Sequence, residues 1–499
     1  MSATVQLPWW LAMLALGICA LWLLQNLLVP SARWFLRRRA NRLIERLNQR
    51  LALRIPGFKL TRREVLVDRL SFDPRIIELV DRLSAERDLP REQLMGDVRD
   101  YAREIVPAFN ALVYFNSAYR LARRLVHALY RVRLGYADDA ALERLGPESS
   151  VVFLMNHRSN MDYILATYLA AERTALSYAV GEWARVWPLQ QLIRAMGGYF
   201  VRRDSGDPLY RRVLECYVQM AAEGGVPQAV FPEGRLSRDG RLGPARLGLL
   251  GYMTRNFDPA GERDIVFIPV GINYDRVFED RSLLLDARKL PRRSLGFKLR
   301  TTVGFVARTS WQALLRRRYR NGYACVNFGE PVSLKAWLRD RVDQSSESGP
   351  VRDEQLDQQA AALSDVSRLA DNLMLRIGAI TPILPVALVT RVITAEPERH
   401  FDASELVVAV KAVQEEFEAA GHRVYLPRGD IAYAVDVGKR LLRLRGLLLE
   451  KDGAITANPA EFEVLSYYAN SIAHLPYVEN RLERGADFDT VEHIAHADA

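Results

Sequence analysis

A histidine and an aspartate stand five positions apart in the run His157-Arg158-Ser159-Asn160-Met161-Asp162, directly after the apolar stretch Val151-Val152-Phe153-Leu154-Met155. Imidazole takes up a proton near neutral pH and so can draw one from an alcohol. An aspartate within reach fixes its tautomer and stabilises the imidazolium that forms. An apolar run ending in such a turn has the form of a buried strand that delivers chemistry at its carboxyl end, where open α/β sheets keep their sites. His157 therefore reads as a general base and Asp162 as its orienter. Taken alone, a His-x4-Asp spacing also fits a histidine satisfied in a turn, so the rest of the chain has to decide.

Three further blocks sit at expected strand ends. Gly197-Gly198-Tyr199-Phe200-Val201-Arg202-Arg203-Asp204 is a tight turn into a strand that delivers two guanidinium groups, whose planar forks suit phosphate oxygens. Phe231-Pro232-Glu233-Gly234-Arg235-Leu236-Ser237-Arg238-Asp239-Gly240-Arg241 ends another strand in a turn where glycines admit a close ligand and three arginines surround it. A helix expected to begin near Gly243 would turn its N-terminus to the same anion. Ile268-Pro269-Val270-Gly271-Ile272-Asn273-Tyr274-Asp275 is an apolar strand suited to a smooth pocket wall.

Together and in this order, His-x4-Asp, Gly-x-Phe-x-Arg-Arg, Phe-Pro-Glu-Gly and the strand bearing Ile-Pro resemble the four-block pattern of the glycerolipid acyltransferases, over residues 147–338. The His-Arg-Ser-x-x-Asp-Tyr form of the first block and the Ser-Arg-x-Gly ending of the third are similar to the membrane-bound glycerol-3-phosphate acyltransferases and their dihydroxyacetone-phosphate relatives. Enzymes acting on lysophosphatidic acid more often carry Asn-His-Gln-Ser and Glu-Gly-Thr-Arg-Ser. Val326-Asn327-Phe328-Gly329-Glu330-Pro331, Thr381-Pro382 and Tyr467-Tyr468-Ala469-Asn470-Ser471-Ile472-Ala473-His474-Leu475 are similar to stretches that follow the catalytic domain of those enzymes. Two features depart from the pattern. The third block commonly reads Glu-Gly-Gly-Arg-Ser-Arg, whereas here Leu236 stands at the arginine position and Arg235 one place earlier; Asn156, before the first block, is shared with the lysophospholipid branch.

The resemblance implies a direct acyl transfer in which His157 deprotonates the sn-1 hydroxyl of glycerol 3-phosphate and Asp162 holds the ring. It implies substrate contacts from Arg158, Ser159, Arg202, Arg203, Glu233, Gly234, Arg235 and Arg238. The acyl group would come from an acyl-CoA or acyl carrier protein thioester, with no metal, no cofactor and no acyl-enzyme on Ser159. Acylation of lysophosphatidic acid at its second hydroxyl is the alternative.

The elements that must position these residues follow from pattern. From residue 149 onward, short β-branched runs alternate with helical stretches, as in an α/β domain built on a mainly parallel sheet flanked by helices. Expected strands are Val151–Met155, Ala175–Val180, Tyr199–Val201, Gln228–Phe231, Ile265–Val270 and Ala324–Phe328. Residues 31–148 read as helical throughout, with a helix over Tyr119–Arg133; residues 351–499 read as mostly helical, with a small hairpin within Leu441–Ile455. The catalytic domain is thus expected over residues 149–342, followed by a linker over 343–350. Residues 295–318 mix aromatic residues with arginines, as would an amphipathic helix at a membrane surface or a core helix with a basic face.

Residues 1–30 read as a membrane anchor. The run 7–29 carries no formal charge, and at ~1.5 Å per residue its length of about 34 Å would cross a hydrocarbon core of about 30 Å. Trp9 and Trp10 begin it and Arg33, Arg37, Arg38, Arg39 and Arg42 follow it, which predicts a catalytic domain on the cytoplasmic side of the inner membrane. Gln25 and Asn26 leave a shallow, one-leaflet helix as the competing arrangement. Three widely spaced cysteines, Cys19, Cys216 and Cys325, form neither a disulfide framework nor a zinc motif. The net charge of +9 calls for acidic partners. Phosphorylated substrate, acyl donor and membrane phospholipids meet that need, and no zinc-finger or aromatic RNA motif points to nucleic acid.

Overall fold

The computed structural model describes residues 9–24, parts of 38–51, then 53–288 apart from short gaps at 137–140, 142–143, 147, 172–173, 188 and 203–204, and finally 321–345 and 354–475. Helices α1 (Trp9–Leu23), α2 (Arg63–Ser71), α3 (Pro74–Arg87), α4 (Arg91–Ile105) and α5 (Tyr119–Leu129) precede the sheet. The sheet then builds up as β1 (Arg131–Leu134), β2 (Ser149–Met155), α6 (Met161–Ala170), β3 (Ser177–Gly181), α7 (Leu189–Ala195), β4 (Tyr199–Val201), α8 (Pro208–Glu223), β5 (Gln228–Val230), α9 (Leu247–Thr254), β6 (Asp264–Tyr274), α10 (Asp280–Ala287), β7 (Tyr323–Phe328) and β8 (Val332–Ser333). After α11 (Leu334–Ser345) come α12 (Glu354–Ala379), α13 (Pro385–Ala395), α14 (Ala403–Ala419), α15 (Ile431–Arg443), the hairpin β9 (Leu448–Lys451) and β10 (Ala454–Ala457), and α16 (Phe462–Ala469).

The eight-stranded sheet runs in the order β1-β7-β6-β2-β5-β3-β4, with β8 beside β6. Strands β6, β2, β5, β3 and β4 are mutually parallel; β7 and β8 pair antiparallel to β6, and β1 runs parallel to β7. The sheet is therefore mainly parallel, as expected. Its central strands are apolar at nearly every position because both faces are covered. Along β2, Val151, Phe153 and Met155 enter one core and Val152 and Leu154 the other, the period of two that a strand imposes. The Val152 face packs on α2–α4, α8 and the C-terminal half of α12. The Phe153 face packs on α6, α13 and α16, so the C-terminal helices close a core that the sheet begins.

Three expectations change. Residues 31–148 are not helical throughout: the helix ends at Leu129, and Arg131-Val132-Arg133-Leu134 joins the sheet edge in register with Tyr323–Val326. Its arginines read as helical surface, but tertiary pairing with β7 decides the backbone, and the Tyr130 hydroxyl bonds the Arg276 carbonyl at 2.8 Å. The helix expected near Gly243 begins at Leu247 instead. Helix α11 takes in residues 343–345 of the expected linker.

Among the described residues no helix is long and apolar enough to cross a membrane. The expected span over 7–29 is described only in part, through the 15 residues of α1, about 22 Å at ~1.5 Å per residue. The expected amphipathic helix over 295–318 lies outside the described residues.

The loop of the third block is held by the C-terminal layer. Gly240 has φ +89°, and an added Cβ would overlap the Tyr467 carbonyl; alongside, Asn470 donates to the Asp239 carbonyl at 3.0 Å. Gly429 has φ +68° and open space around it. Gly429→Ala should cost about 1–3 kcal/mol of backbone strain alone. Gly240→Ala should cost measurably more, because it also separates α16 from the loop. Chemical unfolding of the two variants checks this, and equal losses would show that the α16 contact contributes nothing.

Candidate active site

Strand β2 ends at Met155, and the next side chain continues its pairing. Asn156 donates to the Ile272 carbonyl at 2.9 Å and accepts from the Ile272 amide at 2.7 Å, so a side-chain amide stands in for one more backbone pair and the chain is free to turn. In that turn His157 Nδ1 lies 2.9 Å from Asp162 Oδ2, with both residues almost wholly buried. The same oxygen accepts the amides of Arg158 at 2.7 Å and Ser159 at 3.0 Å. Asp162 Oδ1 accepts the Tyr274 hydroxyl at 2.7 Å. An acceptor-only carboxylate makes Nδ1 the protonated nitrogen and leaves the Nε2 lone pair free to accept a proton. Nε2 has no hydrogen-bond partner among the described residues, and His157 lines a cleft of about 420 Å³. Asp162 sits in the first turn of α6, where the helix dipole favours a negative charge.

Glu233 holds the turn from behind. Its Oε1 accepts the His157 amide at 2.8 Å and its Oε2 the Gly243 amide at 2.9 Å. Burial pushes its carboxyl up to about 7, against the pull of those two amides. The His157 carbonyl in turn accepts the Ser237 amide at 2.9 Å. The imidazole stacks on Phe231, with centroids 4.0 Å apart, and meets the edge of Tyr163. The ring's plane, tautomer and backbone are thus all fixed.

The expected ligand residues divide. His157, Arg202 and Gly234 line the cleft. Ser159 does not: its hydroxyl donates to Glu279 at 2.8 Å and accepts the Met161 amide at 3.1 Å. Arg158 points away into the C-terminal layer, where it donates to the Gly240 carbonyl and lies over the Tyr467 ring with its Cζ 5.1 Å from the centroid. Arg235 is exposed and Arg238 half-buried, and neither lines the cleft. Arg203 lies outside the described residues. The fourth block does not supply a pocket wall; its strand β6 contributes Tyr274 to the carboxylate.

The cleft has residues the sequence did not single out. Its walls are largely apolar, from Leu154, Val180, Val201, Leu214 and Leu249, while Arg202, Ser205, Arg211 and Arg246 supply polarity. Gly234, at φ +68°, leaves room for Arg246, whose Cδ would lie 2.8 Å from a Cβ added there; the Arg246 amide donates to the Pro232 carbonyl at 2.8 Å. Tyr274 lay within a block already noted, and its place at the end of a buried strand level with the first block was the available signal.

A family model described as Acyltransferase matches residues 138–273, and one described as Glycerol-3-phosphate acyltransferase C-terminal region matches residues 310–479. The glycerol-3-phosphate acyltransferase of Alteromonas mediterranea is 26% identical over 406 residues, 79% of this chain and 47% of that one. That of Pseudomonas putida is 26% identical over 459 residues, 88% of this chain and 52% of that one. The chain spans about half the length of the curated relatives it matches. A solved 1-acyl-sn-glycerophosphate acyltransferase from Thermotoga maritima covers 62% of this chain and 97% of its own at 15% identity, with a TM-score of 0.28, too low to bear on the fold.

Among the described residues Tyr274 is the one side-chain hydroxyl on the Asp162 carboxylate. Tyr274→Phe leaves Asp162 Oδ1 without its donor, which should lower the unfolding free energy by about 1–3 kcal/mol. A carboxylate stripped of that donor holds more charge towards the imidazolium and stabilises it. The acidic limb of the pH–rate profile should therefore move to higher pH. Thermal unfolding and the profile check this; a destabilised variant with an unmoved limb would reduce Tyr274 to packing.

Proposed function

We propose, from the acyltransferase and glycerol-3-phosphate acyltransferase C-terminal models that the chain matches and from its glycerol-3-phosphate acyltransferase relatives, that it transfers an acyl group from an acyl-CoA or acyl carrier protein thioester to the sn-1 hydroxyl of glycerol 3-phosphate, giving lysophosphatidic acid. One observation carries the reading: His157, whose Nε2 has no partner among the described residues, and Arg202 line the same apolar-walled cleft. His157 Nε2 removes the hydroxyl proton as the oxygen attacks the thioester carbonyl, and Asp162 stabilises the resulting imidazolium. Collapse of the tetrahedral intermediate expels the thiolate, which takes the proton back from His157, so the enzyme ends unchanged and no acyl-enzyme forms. Arg202 meets the phosphate, with Arg211 and Arg246 adding charge at the cleft, and the apolar wall accommodates hydrocarbon. Glu233 holds the base in place.

Acyl chains and the lysophosphatidic acid product partition into lipid. The charge-free run at 7–29, with Trp9 and Trp10 exposed and arginines after it, supports attachment to the cytoplasmic membrane with the catalytic domain on the cytoplasmic side. Supplying the full chain with an acyl thioester and, separately, glycerol 3-phosphate or 1-acylglycerol 3-phosphate tests the acceptor. Product acylated at sn-1 from glycerol 3-phosphate is expected; turnover of the lysolipid alone would replace this reading with the sn-2 activity.

A further inference from the structure

The guanidinium of Arg202 is held on three sides. Its Nε and Nη2 donate to Glu104 Oε1 and Oε2 at 2.9 and 2.6 Å, a fork-to-fork pair. The rings of Tyr101 and Tyr210 lie against it, with centroids 5.0 and 4.9 Å from Cζ. Neither ring is loose. The Tyr101 hydroxyl donates to Asp207 at 2.6 Å, a bond that pushes its ionisation up to about 12, and the Tyr210 hydroxyl accepts the Arg202 amide at 2.9 Å. Only Nη1 has no protein partner among the described residues, and Arg202 lines the cleft.

Glu104 belongs to the last turn of α4, outside both matched segments. Its carboxylate also meets Arg185, and its carbonyl accepts Arg194 at 3.3 Å. The Arg185–Arg202 pair would repel without it; with it, the trio keeps one net positive charge. Glu104 occupies the Nε and Nη2 side of the fork and does not itself line the cleft, whereas Arg202 does.

We propose that Glu104 is a positioning residue for the acceptor's phosphate: it fixes Arg202 so that the remaining edge of the guanidinium is presented to a phosphate monoester in the cleft. The N-terminal helical region thereby completes a site whose other residues come from the sheet. This rests on the reading in which Arg202 meets the phosphate.

Calorimetric titration of the full chain with glycerol 3-phosphate, with acceptor and donor saturation kinetics alongside, tests it in E104A, E104Q and R202A. For a charge-assisted contact, E104A should weaken acceptor affinity about 10-fold to 100-fold, with KM rising in parallel. The kcat and the KM for the thioester should stay near wild type. E104Q keeps one acceptor oxygen for the fork and should recover part of the loss; it also decides the matter if E104A does not fold. Unchanged or tighter binding in the Glu104 variants, with weaker binding in R202A, overturns the positioning role and leaves the phosphate reading standing. Unchanged binding in R202A overturns both.

Discussion

A buried carboxylate with four donors organises this protein. Asp162 is fully enclosed and has no arginine or lysine side chain bonded to it among the described residues, so its charge is tolerable only because hydrogen bonds replace water. Satisfying it dictates local structure. The amides of Arg158 and Ser159 must both turn towards one oxygen, which closes the loop after β2. The other oxygen requires β6 to run on to Tyr274, and His157 completes the set. The tautomer of His157 is thus a by-product of solving a burial problem.

Those bonds would fix little if the loop itself could drift, and a second ring of contacts prevents it. Glu233 ties the His157 amide to the third-block loop, and Glu279 ties down Ser159 and Asn160. The next residue, Asp280, accepts the Tyr468 hydroxyl at 2.6 Å and pairs with Arg445. Tyr467 lies under Arg158, while burial first, and the Arg158 charge in addition, holds His474 down at about 4. The C-terminal helices therefore act on the dyad through two steps of contact. This explains why a region without a chemical group in the cleft accompanies the catalytic sheet.

Strands β2 and β4 were legible because an apolar run bounded by polar turns has few other uses, and the His157–Asp162 pairing because both partners lie in one short turn. Arginine direction was not legible. Arg158 adjoins the base in sequence, yet a turn sends adjacent side chains to opposite sides, and the ring it lies over is Tyr467, far along the chain. Arg202 does line the cleft, but its anchor is Glu104, one acid among many in an amphipathic helix and without any local mark. Strand β1 was missed for the same reason, since only pairing with β7 distinguishes it from helix.

The most direct test of the central claim is the rate of acyl transfer to glycerol 3-phosphate by His157→Ala, in protein whose thermal unfolding matches wild type. Loss of the general base should lower the rate by about 100-fold to 10,000-fold, with affinity for glycerol 3-phosphate kept because Arg202 is untouched. A folded variant that retained near wild-type turnover would contradict the account, since the carboxylate network would then be holding a histidine that does no chemistry.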